Sequence, residues 1–175
     1  MVVLGRVAAA IAVAAAASAS PVAAAPTAPS ASLTSLEAGV VADINALRAK
    51  HHLAPLRVSA GLTLAARAHS DQMAADGYFA HESADGSAFW RRLQSFWGGP
   101  TWQVWSVGEN LLWRSPDIDP GQALRMWLAS PRHRANMLDP AWREIGISAV
   151  HVSDGPGVFA GAPVTIVTTV FGVRR

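Results

Sequence analysis

The stretch that decides the fold is Val164-Thr165-Ile166-Val167-Thr168-Thr169-Val170-Phe171-Gly172-Val173. If this stretch is extended, one face carries Val164, Ile166 and Val170, and the opposite face carries Val167, Phe171 and Val173. A strand that is apolar on both faces has to be covered on both faces. The stretch therefore predicts a central strand with other elements packed above and below it.

Helical patterns occupy most of the chain that precedes this strand. Thr34 and Glu37 match a capping box at the start of one helix, and Gly77 is suited to ending another. The apolar spacing predicts helices over 35–50, 60–76, 88–94 and 120–129, and a short helical turn that opens at Pro131.

Two further strands are predicted from the pattern around the central one. Residues 144–149 alternate between apolar and polar or small side chains, and residues 107–113 form a second extended segment. The connector 53–58 is expected to turn Leu56 and Val58 inward. Helices followed by strands, one of them apolar on both faces, predict an α+β fold with helices on each side of an antiparallel sheet.

The first residues of the chain are not expected to belong to this fold. A weakly positive start, an apolar run over 7–17 and the small-residue pattern Ala17-Ser18-Ala19 predict a signal peptide over 1–19. An uncleaved N-terminal anchor is the alternative. Residues 20–32 are rich in Ala, Pro and Ser and are interpreted as a linker, which leaves 33–175 as one domain. The protein is therefore expected to be secreted, and either extracellular or associated with the cell wall, with no stable transmembrane segment after cleavage.

The composition excludes several classes of function. The chain has no cysteine, so thiol chemistry and cysteine-based zinc sites are excluded. Its 14 basic residues are nearly balanced by 12 acidic ones, and no basic stripe is visible. Nucleic acid is therefore not an expected partner.

Three titratable residues stand in separate, mostly apolar segments. His81 follows Phe79-Ala80, Glu109 lies in the 107–113 strand, and His133 follows Pro131-Arg132. Two imidazoles and a carboxylate can hold a divalent cation with water, or can carry out general acid–base chemistry after burial shifts their pKa values. They can also be ordinary structural polar residues. Their separation along the chain gives no local metal motif.

Two other residues receive structural interpretations. His69 lies on the apolar stripe of the 60–76 helix and is interpreted as a hydrogen-bonded core histidine rather than a ligand. Ser83 follows His81 closely, but a turn or cap role is favoured over a Ser–His nucleophile pair, because no oxyanion hole is identifiable from sequence.

Four motifs together resemble one known family. They are Phe79-Ala80-His81-Glu82-Ser83, Gly108-Glu109-Asn110-Leu111, the segment from Trp127 through Ser130-Pro131-Arg132-His133 to Leu138, and Glu144-Ile145-Gly146-Ile147. In this order and at these separations they resemble the CAP superfamily (cysteine-rich secretory proteins, antigen 5 and pathogenesis-related proteins), in its bacterial SCP-like branch. The resemblance spans 36–172.

This resemblance implies a three-layer α-β-α sandwich and a cleft with two histidines and two acidic residues that in some members binds Zn²⁺ or another divalent cation. By motif match, His81, Glu109 and His133 carry over, with His81 and His133 as the expected metal ligands. Ser130 stands where many eukaryotic members have the second acidic residue. Glu144 could substitute for it if its side chain faces the cleft.

A group of tryptophans is the remaining candidate feature. Trp97, Trp102, Trp105 and Trp113 surround or follow a Gly-Gly-Pro turn and could line an apolar pocket. They could equally form a small satellite core.

The resulting expectation is an extracellular binding module that holds a divalent cation, with a lipid, a sterol or a cell-wall component as further ligand or partner. The alternatives are a metal-dependent or Ser/His hydrolase of extracellular polymer, and a cell-wall-associated module without a small ligand. The sequence assigns no catalytic residue and leaves the oligomeric state open.

Overall fold

The structure is a computed structural model that describes residues 33–98 and 105–174. The predicted signal peptide, the predicted linker and Trp102 lie outside the described residues. Over the two described ranges, no helix is both long enough and apolar enough to cross a membrane.

Helices and strands follow the predicted order. The helices are α1 (Ser35–Lys50), α2 (Ala60–Asp76), α3 (Phe89–Trp97), α4 (Pro120–Leu128) and α5 (Pro131–Met137). The strands are β1 (Arg57–Val58), β2 (Trp105–Arg114), β3 (Glu144–Gly155) and β4 (Ala162–Arg174).

The first two helices begin and end where their capping residues predict. The Thr34 hydroxyl accepts a hydrogen bond from the Glu37 backbone N–H, and the Glu37 carboxylate accepts one from the Thr34 N–H. This reciprocal pair satisfies two backbone donors that the helix itself leaves unpaired. Gly77 ends α2 in the left-handed region, with φ of 67°, a conformation that glycine adopts without strain.

The sheet has the order β1-β3-β4-β2, so β4 is central between two long neighbours. Both neighbours run antiparallel to β4. Val164, Ile166, Val167, Val170 and Phe171 are fully buried, as expected for a strand that is apolar on both faces. The prediction of a central strand over 164–173 is confirmed.

Two helical layers cover the two faces of the sheet. On one face, Val40 and Ile44 of α1 and Trp127 of α4 pack with Ile145 and Phe171. On the other face, α2 and α3 contribute clusters that include Leu62, Ala66 and Leu93, packed against Val170. Alternate residues of β4 therefore pack against opposite helical layers, and the arrangement is the expected α-β-α sandwich.

The structure differs from the sequence prediction at three elements. Strand β3, predicted over 144–149, extends to Gly155. The two-residue strand β1 was not predicted, and it pairs parallel to β3, so the sheet is not wholly antiparallel. Leu56 is buried as expected, but Val58 in β1 is 42% exposed because it lies at the sheet edge. Helix α3 runs to Trp97 rather than ending near residue 94.

Candidate functional site

The candidate site lies along β2, which is an edge strand of the sheet. His81 approaches it from the segment between α2 and α3, and His133 approaches it on α5. Asn110 of β2 links these parts, because its amide donates to the His133 carbonyl at 3.1 Å and its Oδ1 accepts from Asn136 at 2.9 Å. The site therefore forms where the two helical layers meet at one edge of the sheet.

A buried carboxylate is at the centre of the site. The Glu109 side chain is 1% exposed, and its Oε1 accepts a hydrogen bond from His81 Nδ1 at 2.9 Å. Its other oxygen, Oε2, accepts from Arg92 Nη2 at 2.6 Å, and the Arg92 side chain is only 7% exposed. A buried carboxylate needs a charge partner and hydrogen bonds to remain ionised. Arg92 and His81 supply both.

Arg92 is the functional residue that the sequence analysis missed. It lies one helical turn after Phe89 on α3, so it shares the face of that helix that turns toward the core. An arginine at such a position has to find a buried partner. This spacing indicates a buried position for Arg92, and its partner Glu109 is identified only by the folded structure.

The pKa of His81 is raised above its ordinary value. The largest cause is the hydrogen bond to Glu109, which favours the protonated imidazole, and burial opposes it. Because Nδ1 donates to the carboxylate, Nε2 is the ring nitrogen of His81 that remains for a ligand.

The pKa of His133 moves in the opposite direction. Burial lowers it, and repulsion from His81 lowers it further. His133 and His81 line one pocket of about 490 Å³, with Asn110, Arg132 and Asp139 also in its walls. The same pocket thus contains His81, whose raised pKa favours the protonated imidazole, and His133, whose lowered pKa favours the neutral imidazole.

His69 supports this site from beneath. It is fully buried, and its Nε2 lies 2.8 Å from the Ala80 carbonyl, next to His81 in the chain. Burial is the main cause that lowers the pKa of His69, so the neutral ring donates through Nε2 and holds the Ala80 carbonyl. The same Nε2 is 4.0 Å from Glu109 Oε1. This geometry agrees with the interpretation of His69 as a hydrogen-bonded core histidine.

A second, apolar pocket adjoins the first. Its volume is about 310 Å³, and its lining includes Phe79, Leu111, Trp113, Met126, Trp127 and His133. His133 is therefore a wall shared by the polar pocket and the apolar pocket. Ser130 also lines the apolar pocket and makes no side-chain cap on α5.

The structure places Glu144 in a separate cluster rather than in the pocket with His81. Its Oε2 accepts from Trp97 Nε1 at 2.9 Å, and its Oε1 lies 3.7 Å from Arg174 Nε and 3.8 Å from an Arg57 guanidinium nitrogen. The expected substitution of Glu144 for the second acidic residue is not supported by this placement, because that carboxylate already serves three other partners.

Among the candidate pocket tryptophans, Trp113 alone lines the apolar pocket within the described residues. Trp97 is 3% exposed and belongs to the core cluster between α2 and the sheet, and Trp105 packs against that cluster. The pocket interpretation of Trp97 and Trp105 is therefore corrected to the satellite-core alternative. The additional turn of α3 is the reason, since it carries Trp97 over Leu62 and Gly172.

Ser83 is not paired with His81. Its hydroxyl accepts a hydrogen bond from Arg92 Nη1 at 3.1 Å, and its backbone N–H donates to the Ser87 carbonyl across a turn. This is the turn role that was favoured from the sequence.

The fit of a metal ion can be judged from the donors present. No group of three His, Asp or Glu side chains is arranged to hold an ion in residues 33–98 and 105–174, and Glu109 is already neutralised by Arg92. His81 does have the arrangement of an oriented ligand, because a carboxylate holds one ring nitrogen and leaves the other for an ion. His81 and His133 are the two imidazoles in the lining of this pocket, and a set of three protein ligands is not present in the described ranges.

Comparison with known proteins gives one family. Residues 41–171 match the cysteine-rich secretory protein family, CAP. The Bacillus subtilis protein YkwD is 33% identical over 124 residues, which cover 71% of this chain and 46% of YkwD. The chain therefore spans less than half the length of this relative.

Solved structures show the same fold. An extracellular protein with an SCP domain from Bacillus anthracis is 28% identical with a TM-score of 0.59, over 83% of this chain and 45% of that one. An outer surface protein from Borrelia burgdorferi gives a TM-score of 0.64 at 19% identity, over 78% of this chain and 90% of that one. The latter similarity shows the fold alone.

Proposed function

The chain belongs to the cysteine-rich secretory protein (CAP) family, and from this premise we propose that it is an extracellular binding module for an amphiphilic ligand such as a lipid or a sterol. The observation that supports this most directly is the position of His133 between a polar pocket and an apolar pocket. A ligand with a polar head and an apolar body could fill both at once. Pockets of this kind combine an apolar lining with a few polar groups that fix orientation.

One pocket has a polar lining and the other has a mostly apolar lining, which matches the two parts of an amphiphilic ligand. Phe79, Trp113 and Met126 offer apolar side chains on one side of His133, and His81, Arg132 and Asp139 offer hydrogen bonds on the other. Burying apolar ligand surface contributes about 25 cal/mol per Å², so the apolar pocket supplies affinity. The polar groups select the head group.

The experiment uses two fluorescent probes, dehydroergosterol and cis-parinaric acid, and measures energy transfer from tryptophan to the bound probe. Met126 is 40% exposed on the rim of the apolar pocket, so Met126→Glu should block the pocket without disturbing the core. Leu64→Glu is the matched control, because Leu64 is 57% exposed on α2, outside both pockets. We expect saturable transfer that Met126→Glu weakens at least tenfold and Leu64→Glu leaves unchanged. Equal transfer in both variants would contradict the proposal.

A divalent cation is the second candidate for binding, and we propose that His81 and His133 are its protein ligands. The lowered pKa of His133 keeps that imidazole neutral, and a neutral imidazole is the form that binds metal. Excess Zn²⁺ should raise the melting temperature at about pH 7.5 and much less at about pH 5. His81→Ala and His133→Ala should each remove most of that gain. His51→Ala and His52→Ala are controls, and if they remove it instead, the cation binds at the α1 end.

The extracellular location is part of this proposal. It is supported by the leader pattern over 1–19 and by the similarity to a Bacillus anthracis protein described as extracellular. N-terminal sequencing of protein from culture medium should find a start near Ser20. An intact Met1 in membrane fractions would instead establish an anchor.

The hydrolase alternative has less support from the geometry, because the Ser83 hydroxyl is engaged by Arg92. The hydrolase function would be favoured instead if the protein degraded an extracellular polymer with a bell-shaped pH profile and if His81→Ala abolished that activity.

A further inference from the structure

The side chain of Ser130 has an unused hydroxyl at the wall of the apolar pocket. Ser130 directly precedes α5, a position where a serine hydroxyl ordinarily accepts a hydrogen bond from a backbone N–H of the first helical turn. Here the side chain makes no such bond, and it has no other hydrogen-bond partner in residues 33–98 and 105–174. The hydroxyl is therefore available to a ligand.

The Ser130 hydroxyl and the His133 ring are both open to the pocket. Neither His133 ring nitrogen is hydrogen-bonded within the part of the chain that the structure describes. The buried side-chain atoms that lack a partner there belong to other residues, so the polar atoms of these two side chains are not sealed inside the protein. Residues three positions apart are neighbours on a helix surface, and both residues line the apolar pocket. Two hydrogen-bonding side chains thus share one wall of it.

The charges around the two pockets indicate an uncharged head group. The other lining residues of the apolar pocket are all apolar: Phe79, Leu111, Leu112, Trp113, Met126 and Trp127. The polar pocket adds one arginine, Arg132, and two acids, Glu109 and Asp139. Arg92, outside that lining, is held by Glu109 at 2.6 Å. Apart from the histidines, neither pocket offers a cation without an acid, and burying an unpaired carboxylate is costly.

A hydroxyl group of the ligand fits these conditions. Its oxygen can accept from the Ser130 hydroxyl, and its proton can be donated to the acceptor nitrogen of a neutral imidazole. We propose that Ser130 is a specificity-determining residue of the apolar pocket, which with His133 binds the hydroxyl of an uncharged amphiphile and favours a long-chain alcohol over a fatty-acid anion. This role rests on the proposed function, since the ligand is the same.

A matched pair of fluorescent probes tests the choice of head group. cis-Parinaryl alcohol and cis-parinaric acid have the same chain and differ only at the head, and energy transfer from tryptophan measures the binding of each at about pH 8, where the acid is ionised. We expect the alcohol to bind at least tenfold more tightly than the acid. Equal binding, or a preference for the acid, overturns the proposal, because the head group would then be held by His81 and Arg132 of the polar pocket.

Variants of Ser130 test its part in this preference. Ser130→Ala should weaken alcohol binding about two- to tenfold, the usual effect of losing one hydrogen bond between uncharged groups. It should leave acid binding and the melting temperature unchanged, because the hydroxyl caps no helix. Ser130→Thr keeps a hydroxyl and should retain alcohol binding. Ser95→Ala is the control, because Ser95 lies on α3 outside both pockets.

The outcomes separate this role from the proposed function. Unchanged alcohol binding in Ser130→Ala overturns the role of Ser130 alone. A lower melting temperature with equal losses for both probes also overturns it, because it would show a structural role. Absence of saturable binding of either probe to the protein without substitutions overturns the proposed function as well.

Discussion

Replacing Arg92 by methionine should destabilise the protein by about 3–5 kcal/mol at neutral pH, which is the usual cost of removing one partner from a buried ion pair. The structure gives the reason for this magnitude. Both side chains are almost fully buried, and Nη2 and Oε2 are 2.6 Å apart, so water can replace little of what is lost. His81 is the remaining charged partner of the carboxylate, and its side chain is 47% exposed.

Urea unfolding at about pH 7, followed by tryptophan fluorescence, measures this loss of stability. The double variant Arg92→Met with Glu109→Gln removes both charges and should be more stable than the sum of the single losses predicts. A loss below about 1 kcal/mol for Arg92→Met would refute the view that this pair is buried and tightly coupled.

Three further predictions address the elements around the site. His81→Gln should cost more stability at about pH 5.5 than at about pH 9. The raised folded pKa of His81 contributes stability that is fully present below about pH 6.5 and is lost as pH rises through that folded pKa. The half-exposed side chain limits the effect to below about 1 kcal/mol, and equal costs at the two pH values in urea unfolding would contradict the prediction. Arg48→Met should speed amide hydrogen exchange in α5, because the buried Arg48 Nη1 donates to the Met137 and Asp139 carbonyls; Arg125→Met, at an exposed position on α4, is the control that should leave α5 protected. Gly146→Ala should lower the melting temperature strongly, because a Cβ there collides with the Leu62 backbone, and overpacking costs about 1–3 kcal/mol or more. Gly121→Ala is the control and should be tolerated, because a Cβ there meets only side-chain atoms, Arg125 Nη1 at 3.2 Å and Asp119 Oδ1 at 3.4 Å.

Much of the fold follows from local sequence chemistry. The capping box at Thr34, the stop at Gly77 and the two apolar faces of residues 164–173 each determine an element without help from distant residues. The two-residue strand β1 has no such local pattern, because its pairing with β3 depends on where the chain passes after α1. Such a strand is a result of tertiary packing and is not readable in advance.

The candidate site also contains residues that could be predicted from the sequence and residues that could not. His81, Glu109 and His133 were expected together, and the structure places His81 and His133 in one pocket with Glu109 hydrogen-bonded to His81. Their metal and ligand roles remain predictions. Arg92 was missed because the sequence shows a charged residue in a short helix, and only the packed structure shows that the helix presents it to Glu109. Glu144 and Trp97 lie outside the site and are hydrogen-bonded to each other, a contact that cannot be predicted from their spacing in the sequence.

The way α4 and α5 cover β2 has a consequence for self-association. An uncovered edge strand of ten residues is a template for pairing with another chain. Here Trp127 Nε1 of α4 donates to the Leu111 carbonyl, and the Asn110 side chain donates to the His133 carbonyl of α5, so both helices are hydrogen-bonded to β2. The helices that line the proposed ligand pockets are therefore also the ones that contact this edge strand. We therefore expect substitutions that loosen α5 to favour self-association as well as to weaken the proposed ligand binding, which would limit how freely this pocket can diverge toward other ligands.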